Sequence, residues 1–197
     1  MNVRWQHAET TDSPAEEVRI LEQSRHNPAA FAPLYSRYFP RIYGYCLRRL
    51  NSSGAAEDAT SLVFTRALTG LQHYRGGSVA AWLFQIAHNT VANELRAQRP
   101  ALSLESTAVA FSREAPSIEE EALTHLIVAE EYQRLAALLS ALPNEERELL
   151  TLKVVGRLSA KEIGIVVGKR EGAVRVALHR LIQRLRTRYD ESVEEQQ

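Results

Sequence analysis

The pattern of this 197-residue chain predicts an all-α protein. No stretch alternates apolar and polar residues with the period of two that a strand needs. Apolar residues instead recur at three- and four-residue spacings through most of the chain. Caps, glycines and prolines punctuate those runs where helices start and stop. Near the end, SAKEIGIVVGKREGAVRVALHRLIQRLRTR, from Ser159 to Arg188, reads as two helices joined by a glycine-containing turn.

Residues 1–14 are polar and without period, and are expected to be disordered. A helix is expected from about Pro14, with Glu16 and Glu17 at its positive end and Val18, Ile20 and Leu21 as apolar surface. It should stop before Asn27-Pro28. Residues 29–50 carry the strongest early pattern. Leu34, Tyr38, Ile42, Cys46 and Leu50 recur every four residues, with Phe31, Phe39 and Tyr43 beside them. Pro40 should kink or split this helix, and the aromatic stripe reads as core. A loop is expected over 51–54.

Residues 55–71 predict a further helix with Glu57 and Asp58 in its first turn and Leu62, Val63, Phe64, Ala67, Leu68 and Leu71 apolar. QHYRGGS, residues 72–78, reads as a loop. Over residues 79–99 Trp82, Leu83, Ile86, Val91 and Leu95 can face inward, leaving His88, Asn89, Asn93, Arg96 and Arg99 on other faces. Those polar groups, beside Tyr74 and Arg75, are of the kind that stacks on and hydrogen-bonds exposed bases, although a plain solvated surface explains them equally well. Residues 100–118 hold two prolines and no clean period, so they read as a linker. A long helix opens at Glu119–Glu121 and breaks at Leu142-Pro143. Glu145, Glu146 and Glu148 start the next, which Gly156 ends.

The closing pair of helices is marked by Ser159 and Glu162 at capping-box spacing, Gly168 at the turn, and a second apolar face of Val174, Leu178, Leu181, Ile182 and Leu185. Gly164 sits where a side chain would hold the second helix away. From Arg157 to Arg188 there are nine Lys or Arg and two acids, a local charge of +7. A helix-turn-helix whose cations gather at the start and outer face of its second helix suits a DNA major groove. A solvated helical face is the plainer alternative.

The formal net charge is zero, but it is unevenly spread. Residues 26–105 hold eight cations and four acids, and residues 134–189 hold twelve and five. Residues 106–133 hold one cation and six acids, and the tail 190–197 has four acids and no cation. Two basic blocks therefore hide behind a neutral total. One cysteine, Cys46, and six scattered histidines give no disulfide and no metal-site spacing. No nucleophile and base set appears, so neither an enzyme nor a cofactor is expected. The polar N-terminus and the lack of a long apolar run point to a cytoplasmic protein without membrane insertion.

In order, AFAPLYSRYFPRIYGYCLRRL, AAEDATSLVFTRAL and WLFQIAHNTVANELR resemble the sigma-two domain of a bacterial RNA polymerase sigma factor of the extracytoplasmic-function (ECF) group. LSALPNEERELLTLKVVGRLSAKEIGIVVGKREGAVRVALHRLIQRLR resembles the sigma-four domain. The resemblance covers about residues 28–99 and 134–188. It implies two helical domains, a sigma-two-like bundle at 15–99 and a sigma-four-like helix-turn-helix domain at 119–189. They would be joined by a flexible linker at 100–118 and followed by an acidic tail at 190–197. It further implies a protein that binds core RNA polymerase, at its clamp coiled coil and flap, and promoter DNA, and that an anti-sigma factor restrains.

Glu57, Asp58, Leu62, Val63, Phe64 and Arg66 match the helix that grips the clamp. Tyr74, Arg75, Ser78, His88, Asn89, Asn93 and Arg96 fall in the part that reads the minus-ten element. Lys169, Arg170, Glu171, Arg175, His179 and Arg180 fall in the part that reads the minus-thirty-five element. The chain departs from the usual pattern at Ser61 and Leu62, where a Gln-Glu pair is common. It also departs at Val79 and Ala80, at His88, and at Val176 and Ala177. The residues also leave open a helix-turn-helix regulator that never joins polymerase.

Overall fold

The computed structural model describes residues 13–98 and 134–194, and every regular element among them is helical. Helix α1 (Pro14–Ser24) starts where Ser13 Oγ accepts from the Ala15 N–H. A 3₁₀ turn, Pro28–Phe31, leads into α2 (Ala32–Leu50), whose four-residue row of Leu34, Tyr38, Ile42, Cys46 and Leu50 is buried. Pro40 does not split α2. Pro40 has no N–H to offer the Ser36 carbonyl four residues back, and both residues are exposed, so the missing bond falls on the side of the helix that solvent can reach. Asn51, at φ 54°, ends the helix in the left-handed conformation that a short polar side chain tolerates.

Helix α3 (Ser53–Thr69) begins two residues earlier than its apolar pattern suggests, because Ser52 caps it through the Ala55 N–H. Its buried face is Ala56, Ala59, Thr60, Val63, Phe64 and Ala67, while Leu62 and Leu68 point outward. A 3₁₀ turn, Leu71–His73, and a short loop lead to α4 (Val79–Gln98). Residues 134–140 form α5, then the chain breaks at Leu142-Pro143 as expected. Helices α6 (Asn144–Val154), α7 (Ala160–Val167) and α8 (Glu171–Glu194) follow. Residues 190–194, expected as part of a separate tail, continue α8. Of residues 1–14, expected to be disordered, residues 1–12 lie outside the described residues, as do the linker 100–118 and the helix opening at Glu119–Glu121, whereas Ser13 caps α1 and Pro14 is its first residue.

The turn between α7 and α8 has the geometry its residues require. Ser159 Oγ accepts from the Glu162 N–H, and the Glu162 carboxylate accepts from the Ser159 N–H at 2.8 Å. Gly168 takes φ 70°. A Cβ on Gly164 would lie 2.5 Å from the Lys169 carbonyl oxygen, so only glycine lets the turn close this tightly.

Helix α7 packs on α4, and α6 packs on α2. One apolar cluster consequently runs from Leu34, Leu83 and Phe84 of the first block into Leu152, Leu158 and Ile163 of the second. Each of these side chains is essentially fully buried, worth about 1.5–3 kcal/mol against exposure.

Candidate nucleic-acid interface

The cationic surface of the second block is built on the outer side of α8. Val174, Leu178 and Leu181 turn into the core, which leaves Glu171, Arg175 and His179, spaced four apart, on the solvent face. Val176 and Arg180 form the neighbouring exposed row, and Lys169 and Arg170 flank the helix start from the turn. Glu171 holds Arg175 in an ion pair one turn along. Lys169 pairs with Glu145 and Arg184 with Glu146, both from α6. All six expected duplex-reading residues are exposed and gathered on this one side.

The first block distributes its candidates differently. Tyr74 is buried, its hydroxyl donates to the Gly77 carbonyl at 2.6 Å, and its ring meets Trp82 edge-on at 5.3 Å. It therefore shapes the loop and offers no free ring for stacking here. Arg75, Asn89, Asn93 and Arg96 are exposed, and Arg96 donates to Asn93 Oδ1 at 2.8 Å. Ser78 caps α4 through the Ala81 N–H and also donates to the Glu162 carboxylate of α7. His88 donates from Nδ1 to Glu148 Oε1 at 2.7 Å. Ser78 and His88 thus face the second block.

On α3, Glu57, Asp58 and Leu62 lie on one exposed stripe, and Arg66 donates to Thr90 on α4 at 2.8 Å. Val63 and Phe64 point into the core, so they support this stripe from beneath. The aromatic stripe of α2, expected in the core, is only partly there. Phe31 is buried, but Tyr35 and Phe39 remain 43% and 38% exposed, packed on Phe64 at centroid distances of 4.7 and 6.3 Å.

Glu148 has a role its sequence context hides. Among helix-opening acids it looks solvent-facing, yet it is buried. Tyr45 donates to it at 2.6 Å, His88 at 2.7 Å, and Arg49 lies 3.5 Å away. Burial alone would raise its carboxyl, but these hydrogen bonds and the Arg49 charge outweigh that and hold it below the ordinary carboxylate value. Glu162 shows the same balance. Burial pushes it up, and the bonds from Ser78 and Ser159 pull it further down. Burial and the Glu148 charge push the Tyr45 hydroxyl well up, so it stays a donor.

The sigma-70 region 2 family matches residues 34–101, and the sigma-70 region 4 family matches residues 132–185. The ECF RNA polymerase sigma factor SigD of Mycobacterium tuberculosis is 37% identical over 159 residues, covering 75% of this chain and 71% of that protein. The chain belongs to the ECF group of sigma-70 family RNA polymerase sigma factors. Another relative, the ECF sigma factor BldN of Streptomyces coelicolor, is 32% identical over 174 residues. The match takes in 85% of this chain but 64% of BldN's length. The sigma factor RpoE of Bartonella quintana, solved with the anti-sigma factor NepR, has the same fold. It aligns at TM-score 0.61 and 18% identity over 81% of this chain and 96% of that one. The two matched regions fall on the two helical blocks, and no described helix of this sigma factor is long and apolar enough to cross a membrane.

Proposed function

We propose that this sigma factor directs core RNA polymerase to promoters through three of its surfaces. The observation that carries the reading is the presence of regions 2 and 4, in that order, on one chain. A regulator that only binds duplex DNA needs the second region alone. The exposed stripe of Glu57, Asp58 and Leu62 on α3, beside Arg66, docks on the polymerase clamp, with Val63 and Phe64 beneath. Lys169, Arg170, Glu171, Arg175, His179 and Arg180 read minus-thirty-five duplex. Here cations hold phosphates and the first turns of α8 face base edges.

The loop and helix bearing Arg75, Ser78, His88, Asn89, Asn93 and Arg96 hold the minus-ten strand. Unstacking a base costs roughly a few kcal/mol and needs polar groups to receive it. The protein does no bond chemistry and uses no cofactor, because positioning and strand capture require neither. It works in the cytoplasm beside the polymerase. Because the RpoE relative is held by an anti-sigma factor, an anti-sigma partner is proposed here too.

Binding to the polymerase tests the reading. Purified core polymerase should bind the chain competitively with another sigma factor. Asp58→Ala should weaken that binding several-fold, while duplex affinity stays unchanged. Polymerase binding that ignores Asp58→Ala would move the clamp surface elsewhere, and no competition would favour the plain regulator.

A further inference from the structure

The face of α8 assigned to duplex reading is not uniformly polar. Val176 is 50% exposed there, among Arg175, His179 and Arg180. An exposed valine by itself needs no explanation, but the surroundings of this one supply it. Gly172 and Ala173, one turn before it on the same side, are exposed and too short to cover it. A Cβ on Gly172 would meet nothing within 4 Å, so the helix surface is open at that point. Helical side chains lean toward the N-terminus, so Val176 overlies these first turns of α8. Those are the turns that meet base edges when a recognition helix lies in a major groove.

The polar neighbours are partly committed elsewhere. Glu171 and Arg175 pair with each other, and Lys169 pairs with Glu145 of α6. Val176 offers a base edge methyl groups and no donor or acceptor. In the major groove the bases present polar atoms, and the apolar group among them is the C5-methyl of thymine. A guanine or cytosine edge held against Val176 would lose water from its polar atoms without gaining a hydrogen bond, which costs free energy. A thymine there buries methyl against methyl, which is favourable.

We propose that Val176 is a specificity-determining residue. Its side chain packs on the C5-methyl of one thymine in the minus-thirty-five duplex and so selects thymine at that place. The inference rests on the duplex-reading assignment of α8. The flanking cations supply affinity whatever the sequence, and Val176 adds discrimination. Position 176 is one of those at which the chain departs from the usual sigma-four pattern, so it bears on which promoters this chain reads.

The test uses the full chain assembled with core polymerase. A duplex library randomised over about 20 base pairs, roughly two helical turns, is enriched for binders. Each thymine of the enriched sequence is then replaced singly by deoxyuridine, which removes the C5-methyl and keeps every hydrogen-bonding group. Wild type and Val176→Ala are compared on the same duplexes. Val176 is exposed and alanine is the better helix former, so the variant keeps its fold.

At one thymine, deoxyuridine should weaken wild-type binding by about fourfold, the worth of one buried methyl. Val176→Ala should bind the thymine duplex several-fold less tightly and should not distinguish it from the deoxyuridine duplex at that place. In the wild type, 5-methylcytosine there should bind better than cytosine. Wild-type binding that ignores every deoxyuridine would overturn the proposal, as would a set of methyl preferences that Val176→Ala retains in full. In either case the α8 assignment stands if Arg175→Ala with Arg180→Ala still weakens binding. If that double variant binds as the wild type does, the assignment itself falls and the role of Val176 with it.

Discussion

Arg175 and Arg180 stand in solvent on adjacent rows of α8, and their nearest core neighbours, Val174 and Leu181, are buried independently of them. Replacing both with alanine should leave the fold intact and weaken duplex binding. The slope of log affinity against log salt should fall by about two, one for each phosphate that is no longer neutralised. An unchanged slope would remove them from the interface.

Glu148 and Glu162 make an opposite kind of prediction, about stability. Both carboxyls are held below the ordinary value of 4.5, so each favours the folded form above that pH and loses its contribution as pH falls through its lowered value. Glu17 runs the other way. Its burial outweighs the Tyr38 hydrogen bond and raises its carboxyl, so its charge disfavours the fold at neutral pH, and protonation as the pH falls through its raised value relieves this. Thermal midpoints measured across mild to strong acid should therefore fall steeply only below 4.5. Glu148→Gln should flatten that fall; an equally steep fall in the variant would deny Glu148 its role. No sequence pattern shows this group, because Glu148 is brought to Tyr45 and His88 from positions 103 and 60 residues away.

Among the elements, the α7–α8 turn is fully readable from residue types. Ser159, Glu162, Gly164 and Gly168 each do locally what their chemistry requires, and local rules need no knowledge of the rest of the fold. The two helical glycines nearby separate crowding from propensity. Gly164→Ala pushes a Cβ to 2.5 Å from a carbonyl oxygen and should cost about 1–3 kcal/mol along with duplex binding. Gly172→Ala, with nothing within 4 Å, should stabilise by about 0.5–1 kcal/mol. Calorimetry of the two variants should give midpoint shifts of opposite sign; shifts of the same sign would contradict the packing at Gly164.

Element ends are less legible where a polar side chain decides them. Ser52 starts α3 before its apolar run begins. The acidic residues 190–194 look like a tail but stay helical, since a strongly charged stretch can still continue a long helix it follows. Leu62 and Leu68 belong to the apolar pattern of α3, but the pattern alone does not give their direction. One helical residue turns the side chain by about 100°, which puts them outside while Val63 and Ala67 go inside.

For the whole molecule, the family and its two regions follow from several motifs in register, and the matches to regions 2 and 4 fall on those same stretches. The closed packing of one block on the other has no such signature. The apolar residues that join them, Leu152, Leu158 and Ile163, look like the ordinary inner face of a small helical domain. Only their position against Leu83 and Phe84 reveals a shared core.

Reconstituted transcription tests the central claim most directly. Purified core polymerase and this chain are incubated with fragmented genomic DNA from the source, and the 5′ ends of the transcripts are mapped. The result expected of a promoter-directing sigma factor is a set of discrete starts, absent without the chain, that share two upstream elements at fixed spacing. Starts that core polymerase produces equally without the chain would contradict it.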